Sequence, residues 1–168
     1  MKPDDEEFKK RIEAIVERGK KIDELRVTTI KGHLILEEAL DAFIDASLFY
    51  PEQLDSVTFN FHQKGHLALS LSLGLEKDEF WSVFWAINQL RNKIAHNLDS
   101  KEIEEKVKLL RRAFLKVLSE RQRSDVEKFS DNQIVNEACY VTAGFLAMLT
   151  DDARGRRRAI DEHWKGRS

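Results

Sequence analysis

A chain of 168 residues has room for one ordinary domain with its own core and little room for a second. With 35% charged and 42% hydrophobic residues it is too apolar for a disordered chain, and no apolar run reaches the roughly 18 residues of a membrane-spanning helix. The 7 Gly and 2 Pro are sparse punctuation that favours long helices over many short strands, and a net charge of −2 gives no global attraction to nucleic acid.

The first ten residues mix acidic and basic side chains with no apolar h-region, so no secretory signal is expected. Cys139 is the single cysteine and lies in an apolar stretch, which fits a reduced, cytoplasmic setting. Phe8, Ile12, Ile15, Val16 and Ile22 recur at helical spacing and predict a peripheral first helix with one apolar stripe. From Leu25 to Phe49 the apolar residues are nearly continuous, which predicts a central helix touched on several sides. Tyr50-Pro51 ends it, because the residue before a proline is driven out of helical geometry.

The next segment is ambiguous. Leu67, Leu69, Leu71, Leu73 and Leu75 alternate as in a strand, yet leucine is a good helix former and a lone strand would lack a partner. A helix over 60–72 with Gly74 near its C-terminal cap is the reading adopted. Phe80, Phe84, Ile87, Arg91 and Ile94 mark one face of a fourth helix ending near Asn97. Asp99 and Glu102 form a capping-box pattern opening a fifth, with Ile103, Val107, Leu110, Phe114 and Val117 as its stripe. Residues 121–129 read as a polar connector. Ser130 and Gln133 open a last helix carrying Ile134, Ala138, Val141, Phe145 and Met148. The expectation is an all-α single-domain bundle of five or six helices over residues 1–150, followed by a basic, solvated tail over 151–168.

Charge is unevenly distributed. Residues 1–60 hold 9 Lys/Arg against 14 Asp/Glu, and residues 88–123 hold 10 against 5. Within the basic stretch, Leu90-Arg91-Asn92-Lys93-Ile94-Ala95-His96 offers a permanent cation, an amide and an imidazole within two helical turns. An imidazole titrates near neutrality and can move the proton of a ribose 2′-hydroxyl; a guanidinium can bind a phosphate through two parallel hydrogen bonds. On an ideal helix Asn88, Asn92 and His96 share a face, whereas Arg91 lies roughly 140° from His96. Two copies across a two-fold axis would double the groups facing one phosphate. Capping and favourable placement of His96 against the helix dipole explain the same residues without catalysis.

The segment Trp85 to Leu98, WAINQLRNKIAHNL, resembles the signature helix of the HEPN superfamily, in which an Arg followed by a polar residue precedes a His after a short gap. Here the gap is four residues and the polar residue is Asn92. Residues 32–38, GHLILEE, and the segment Lys64 to Leu75 are also similar to bacterial HEPN proteins, and the helical order matches over roughly 5–150. The resemblance implies a HEPN-like fold and a homodimeric endoribonuclease that cuts single-stranded RNA by 2′-hydroxyl attack without a metal or other cofactor. Such proteins act as toxins or antiphage effectors, in some cases held by an antitoxin protein. Arg91, Asn92 and His96 match the motif as catalytic residues, with Asn88, Lys93 and Glu37 as supporting groups. The superfamily also contains members without nuclease activity, and the helix order is similar to that of the mannitol operon repressor group. A non-catalytic interaction module or a transcriptional regulator is therefore the alternative.

Other candidates carry less. Glu37 and Glu38 sit in the apolar second helix, where Glu37 could pair with His33, hold Arg91 or join a structural ion pair. His62 and His66 have the i, i+4 spacing of a metal pair without an evident third ligand. Trp81, Trp85 and Trp164 could stack bases, although Trp81 and Trp85 lie among Phe80, Phe84 and Ile87 and suit core or interface packing better.

Overall fold

A computed structural model describes residues 5–20, 23–75, 78–96 and 100–165, and all regular structure in them is helical. The seven α-helices are α1 (Asp5–Lys20), α2 (Glu24–Ser47), α3 (Phe61–Leu71), α4 (Glu79–His96), α5 (Ser100–Val117), α6 (Glu120–Val126) and α7 (Asp131–Lys165), with a 3-10 turn at Pro51–Leu54. The all-α expectation holds, with one or two helices more than anticipated. None of the described helices is long and apolar enough to cross a membrane.

The helices start where side chains can satisfy free backbone N–H groups. Asp23 accepts the Arg26 N–H at 3.0 Å to open α2. Asn60 and Gln63 form a reciprocal capping box that opens α3. Ser130 and Gln133 do the same for α7, as expected. The Asp99 box proposed for α5 lies outside the described residues. The expected connector after residue 120 is instead α6, whose preceding Ser119 N–H donates to Gln122 Oε1 at 3.1 Å; Val126 then drops into the core. Ser119 and Gln122 repeat the spacing of Ser130 and Gln133, so the signal was available.

In α3 the leucine alternation misleads about which face is buried. Phe61, Gly65 and Ala68, followed by the capping Ser72, are the buried positions, and they step by four, three and four. Small residues form much of that stripe because α3 lies close to its neighbours. A Cβ added at Gly65 would come within 2.7 Å of both the Phe84 and Trp85 rings. Gly74, beyond the cap, has φ +76°, a conformation glycine adopts without steric cost.

α2 and α7 form the largest interface, crossing where Gly32 faces Cys139; a Cβ at Gly32 would lie 2.4 Å from the Cys139 Sγ. Burial pushes the Cys139 thiol up to about 12, so it serves as a small core hydrophobe. α7 runs unbroken across residue 150, and the stretch expected to fray as a solvated tail is helix to Lys165. Arg157 within it donates to the Leu48 and Phe49 carbonyls, both at 3.0 Å, and so satisfies the C-terminal end of α2. Met148, expected on the packed side of α7, is exposed, while Val135, Cys139, Leu146 and Leu149 take the buried positions beside Ile134, Ala138 and Phe145.

α1 is peripheral, as expected; Phe8, Ile12, Ile15 and Val16 of its apolar stripe stand in solvent, and Ile22 lies outside the described residues. α2 is central, but not apolar all round: Val27, Ile30 and Leu34 are exposed, while Arg26, Thr29 and His33 are buried.

Candidate functional site

α4 is the element that carries the candidate chemistry. Its inner face buries Val83, Phe84, Ile87, Leu90 and Ile94 against α2, α5 and α7. That packing sets the rotation of the helix and therefore the direction of every polar group on it. Trp81 Nε1 donates to the Leu75 carbonyl at 3.1 Å, which ties the start of α4 to the end of the α3 connection.

Arg91 and Asn92 are brought together. The Arg91 guanidinium donates to Asn92 Oδ1 at 3.3 Å, and Asn92 Nδ2 donates to Asn88 Oδ1 at 3.4 Å. Asn88 is buried, Arg91 is half-buried and Asn92 is exposed, so the three amide and guanidinium groups lead from the core to the surface. His96 stands apart on the last turn. It is exposed, and among the described residues no side-chain hydrogen bond or ion pair joins its imidazole to Arg91 or Asn92. A single copy thus presents the cation and the imidazole toward different sides of the helix, in line with their roughly 140° separation. Lys93 is engaged by Glu102 at 2.6 Å across the α4–α5 pair.

Glu37 does not hold Arg91. Lys64 binds its carboxylate at 3.1 Å and that of Asp41 at 2.7 Å, forming a three-residue ion cluster between α2 and α3. Burial alone would lower the Lys64 pKa, but the hydrogen bonds and charges of Asp41 and Glu37 outweigh it and raise the value. The expectation of a structural ion pair fits this placement better than a supporting role beside the arginine.

The buried group that feels the charge of Arg91 is His33, which the sequence suggested only as a partner for Glu37. Its pKa is lowered to about 4, first by burial and then by the positive charge of Arg91, with Glu37 opposing. The ring packs on Phe61 at a centroid distance of 4.0 Å, and Phe61 stacks on Phe84 at 4.9 Å. His33 Nε2 is buried without a hydrogen-bond partner. At neutral pH this imidazole is therefore neutral, and the positive charge of Arg91 helps to keep it so. The available signal was a histidine three residues before Leu36 and seven before Leu40, on the buried stripe of α2.

The expected His62–His66 pair is real in space, with ring centroids 4.5 Å apart, and Trp85 lies against both rings. Among the described residues no group of three His, Cys, Asp or Glu side chains forms a metal-binding cluster. Trp81 is core, as expected, whereas Trp85 is half-buried and Trp164 exposed. Comparison with family models, curated proteins and solved structures returns no match to this chain.

Proposed function

We propose that this chain is a metal-independent endoribonuclease of the HEPN type, active as a homodimer on single-stranded RNA. The observation that supports this most is the solvent-facing end of α4, where Arg91 and Asn92 are hydrogen-bonded and His96 is exposed one turn beyond Asn92.

In this reading His96 takes the proton of a ribose 2′-hydroxyl, and that oxygen attacks the adjacent phosphorus. The bond to the 5′-oxygen breaks, and the departing oxygen receives a proton from the same histidine of a second copy. Arg91 binds the non-bridging oxygens as negative charge grows on them, oriented by Asn92 and, through it, by Asn88. The products are a 2′,3′-cyclic phosphate and a 5′-hydroxyl. Because Arg91 and His96 of one copy face different sides, a two-fold pairing of α4 ends is what brings a cation and an imidazole to one phosphate. A toxin or antiphage role, with a cognate antitoxin as partner, follows from the same reading.

The test is cleavage of a mixed single-stranded RNA pool in EDTA, with wild type beside His96→Ala and Arg91→Ala. Loss of cleavage of 100-fold or more in both variants, with folding and dimerisation retained, is the expected result, in line with general acid–base contributions of about 10²–10⁴-fold. Wild-type-like cleavage by His96→Ala, or dependence on metal, sinks the proposal.

A second reading, a non-catalytic interaction module, is favoured by one observation: the exposed apolar side chains of α1 and of the Val27, Ile30 and Leu34 face of α2. A stoichiometric protein complex formed without any RNA cleavage would establish it.

A further inference from the structure

Trp85, Gln89, Asn92 and His96 descend α4 at spacings of four, three and four residues, so they form one stripe on its surface. At the upper end of this stripe, α3 adds His62 and His66. Their rings lie 5.3 and 4.8 Å from the indole of Trp85, and 4.5 Å from each other. Gly65 makes the arrangement possible, because without a Cβ the Trp85 ring can lie against the α3 backbone between the two histidines. Both imidazoles are exposed, and among the described residues neither is held by a hydrogen bond or ion pair. Packing of the fold therefore accounts for the buried part of Trp85 but not for the two histidines beside it.

One step down the stripe, Lys106 of α5 donates to Gln89 Oε1 at 2.9 Å. Among the described residues its ammonium has no carboxylate partner, so a positive charge is held next to the aromatic cluster. Farther down come Asn92 and His96. The run from Trp85 to His96 spans about 16.5 Å at 1.5 Å rise per residue, the length of roughly five stacked nucleotides.

We infer that the His62–His66–Trp85 cluster is a base-stacking platform for a single-stranded nucleic acid, with Lys106 on Gln89 taking a backbone phosphate, so that the strand is laid along α4 toward His96. The chemistry is that of sequence-tolerant strand binders: π faces for bases alternate with cations for phosphates. This rests on the ribonuclease reading only for the identity of the strand as RNA; the platform itself is a binding site with its own readout. It places Trp85 and the two histidines as substrate-positioning residues, remote from the reacting phosphate.

The experiment is titration of the full-length protein, in EDTA, into a dye-labelled short 2′-O-methyl RNA, which lacks the attacking hydroxyl and cannot be cut. An abasic strand of the same length serves as comparison. Wild type should prefer the base-bearing strand. Trp85→Ala, and the exposed double variant H62A/H66A, should bind it about 5- to 150-fold more weakly and lose the preference over the abasic strand. Trp85→Phe should retain most of the affinity. Lys106→Gln should reduce the salt dependence by about one phosphate contact. Equal affinity for the two strands overturns the platform, as does unchanged binding by H62A/H66A, whose substitutions lie at the surface, or absence of binding. Cleavage of unmodified RNA is scored separately. Platform-dependent binding without cleavage supports this inference while removing the nuclease, and His96-dependent cleavage indifferent to H62A/H66A does the reverse.

Discussion

α1 and α5 have the same kind of sequence and opposite fates. Each is an amphipathic helix with charged residues around one apolar stripe. In α5 the stripe is sealed, with Ile103, Val107, Leu110 and Phe114 exposing 2% or less. In α1 Phe8, Ile12, Ile15 and Val16 expose 43–62%. Periodicity therefore establishes that a helix forms and which face is apolar, but not whether anything covers that face. α5 finds its cover because it lies between α4 and α7, whereas the inner face of α2, the helix nearest α1 in sequence, is already occupied by α3, α4 and α7.

Truncation in the sealed stripe should give the largest effect. Phe114→Ala removes a fully buried ring and is expected to cost about 3–5 kcal/mol, read as a lower midpoint in urea with an unchanged slope. A cost below about 1 kcal/mol would mean that α5 is as loosely held as α1.

α2 sharpens the contrast, because its buried face includes a polar group where α5 buries only hydrocarbon. Folded His33 takes up its proton near pH 4, while the unfolded imidazole does so near 6.5. Between those values the unfolded chain binds more protons, so stability falls as the pH drops. Wild type should lose on the order of 3 kcal/mol more than His33→Gln between pH 6.5 and pH 4, measured by urea unfolding at both. Parallel losses in the two proteins would show that His33 is solvated rather than buried against Phe61.

The smallest effect belongs to α1. Phe8→Ser should change stability by no more than about 0.5 kcal/mol in the monomer, since the ring is already in water. A loss that grows with protein concentration would identify the α1 stripe as a face covered by a second copy.

Much of the fold was legible in the chain. Tyr50-Pro51, the Ser130–Gln133 box and the stripe of α5 marked helix ends and faces through local chemistry, which acts over a few residues and needs no partner. The row that joins Asn88 to Asn92 followed from positions on one helix, whereas the exposure of His96 did not. What was not legible involved two elements at once. Gly65 hid the buried stripe of α3 because the close approach of Trp85 and Phe84, rather than any side chain of its own, defines that face. For Glu37 the sequence left His33, Arg91 or a structural ion pair open, and the partner that holds it is Lys64, 27 residues away.

By itself the sequence determined an all-helical chain, most helix boundaries and the polar end of α4, since spacing, caps and prolines act locally. Only the tertiary structure decided that the stripe of α1 stays open, that His33 is buried against Phe61 and that His62 and His66 flank Trp85. Helical periodicity encodes the direction in which a side chain leaves its own axis. Which neighbour it meets depends on how several axes pack at once, and that is a property of the whole bundle.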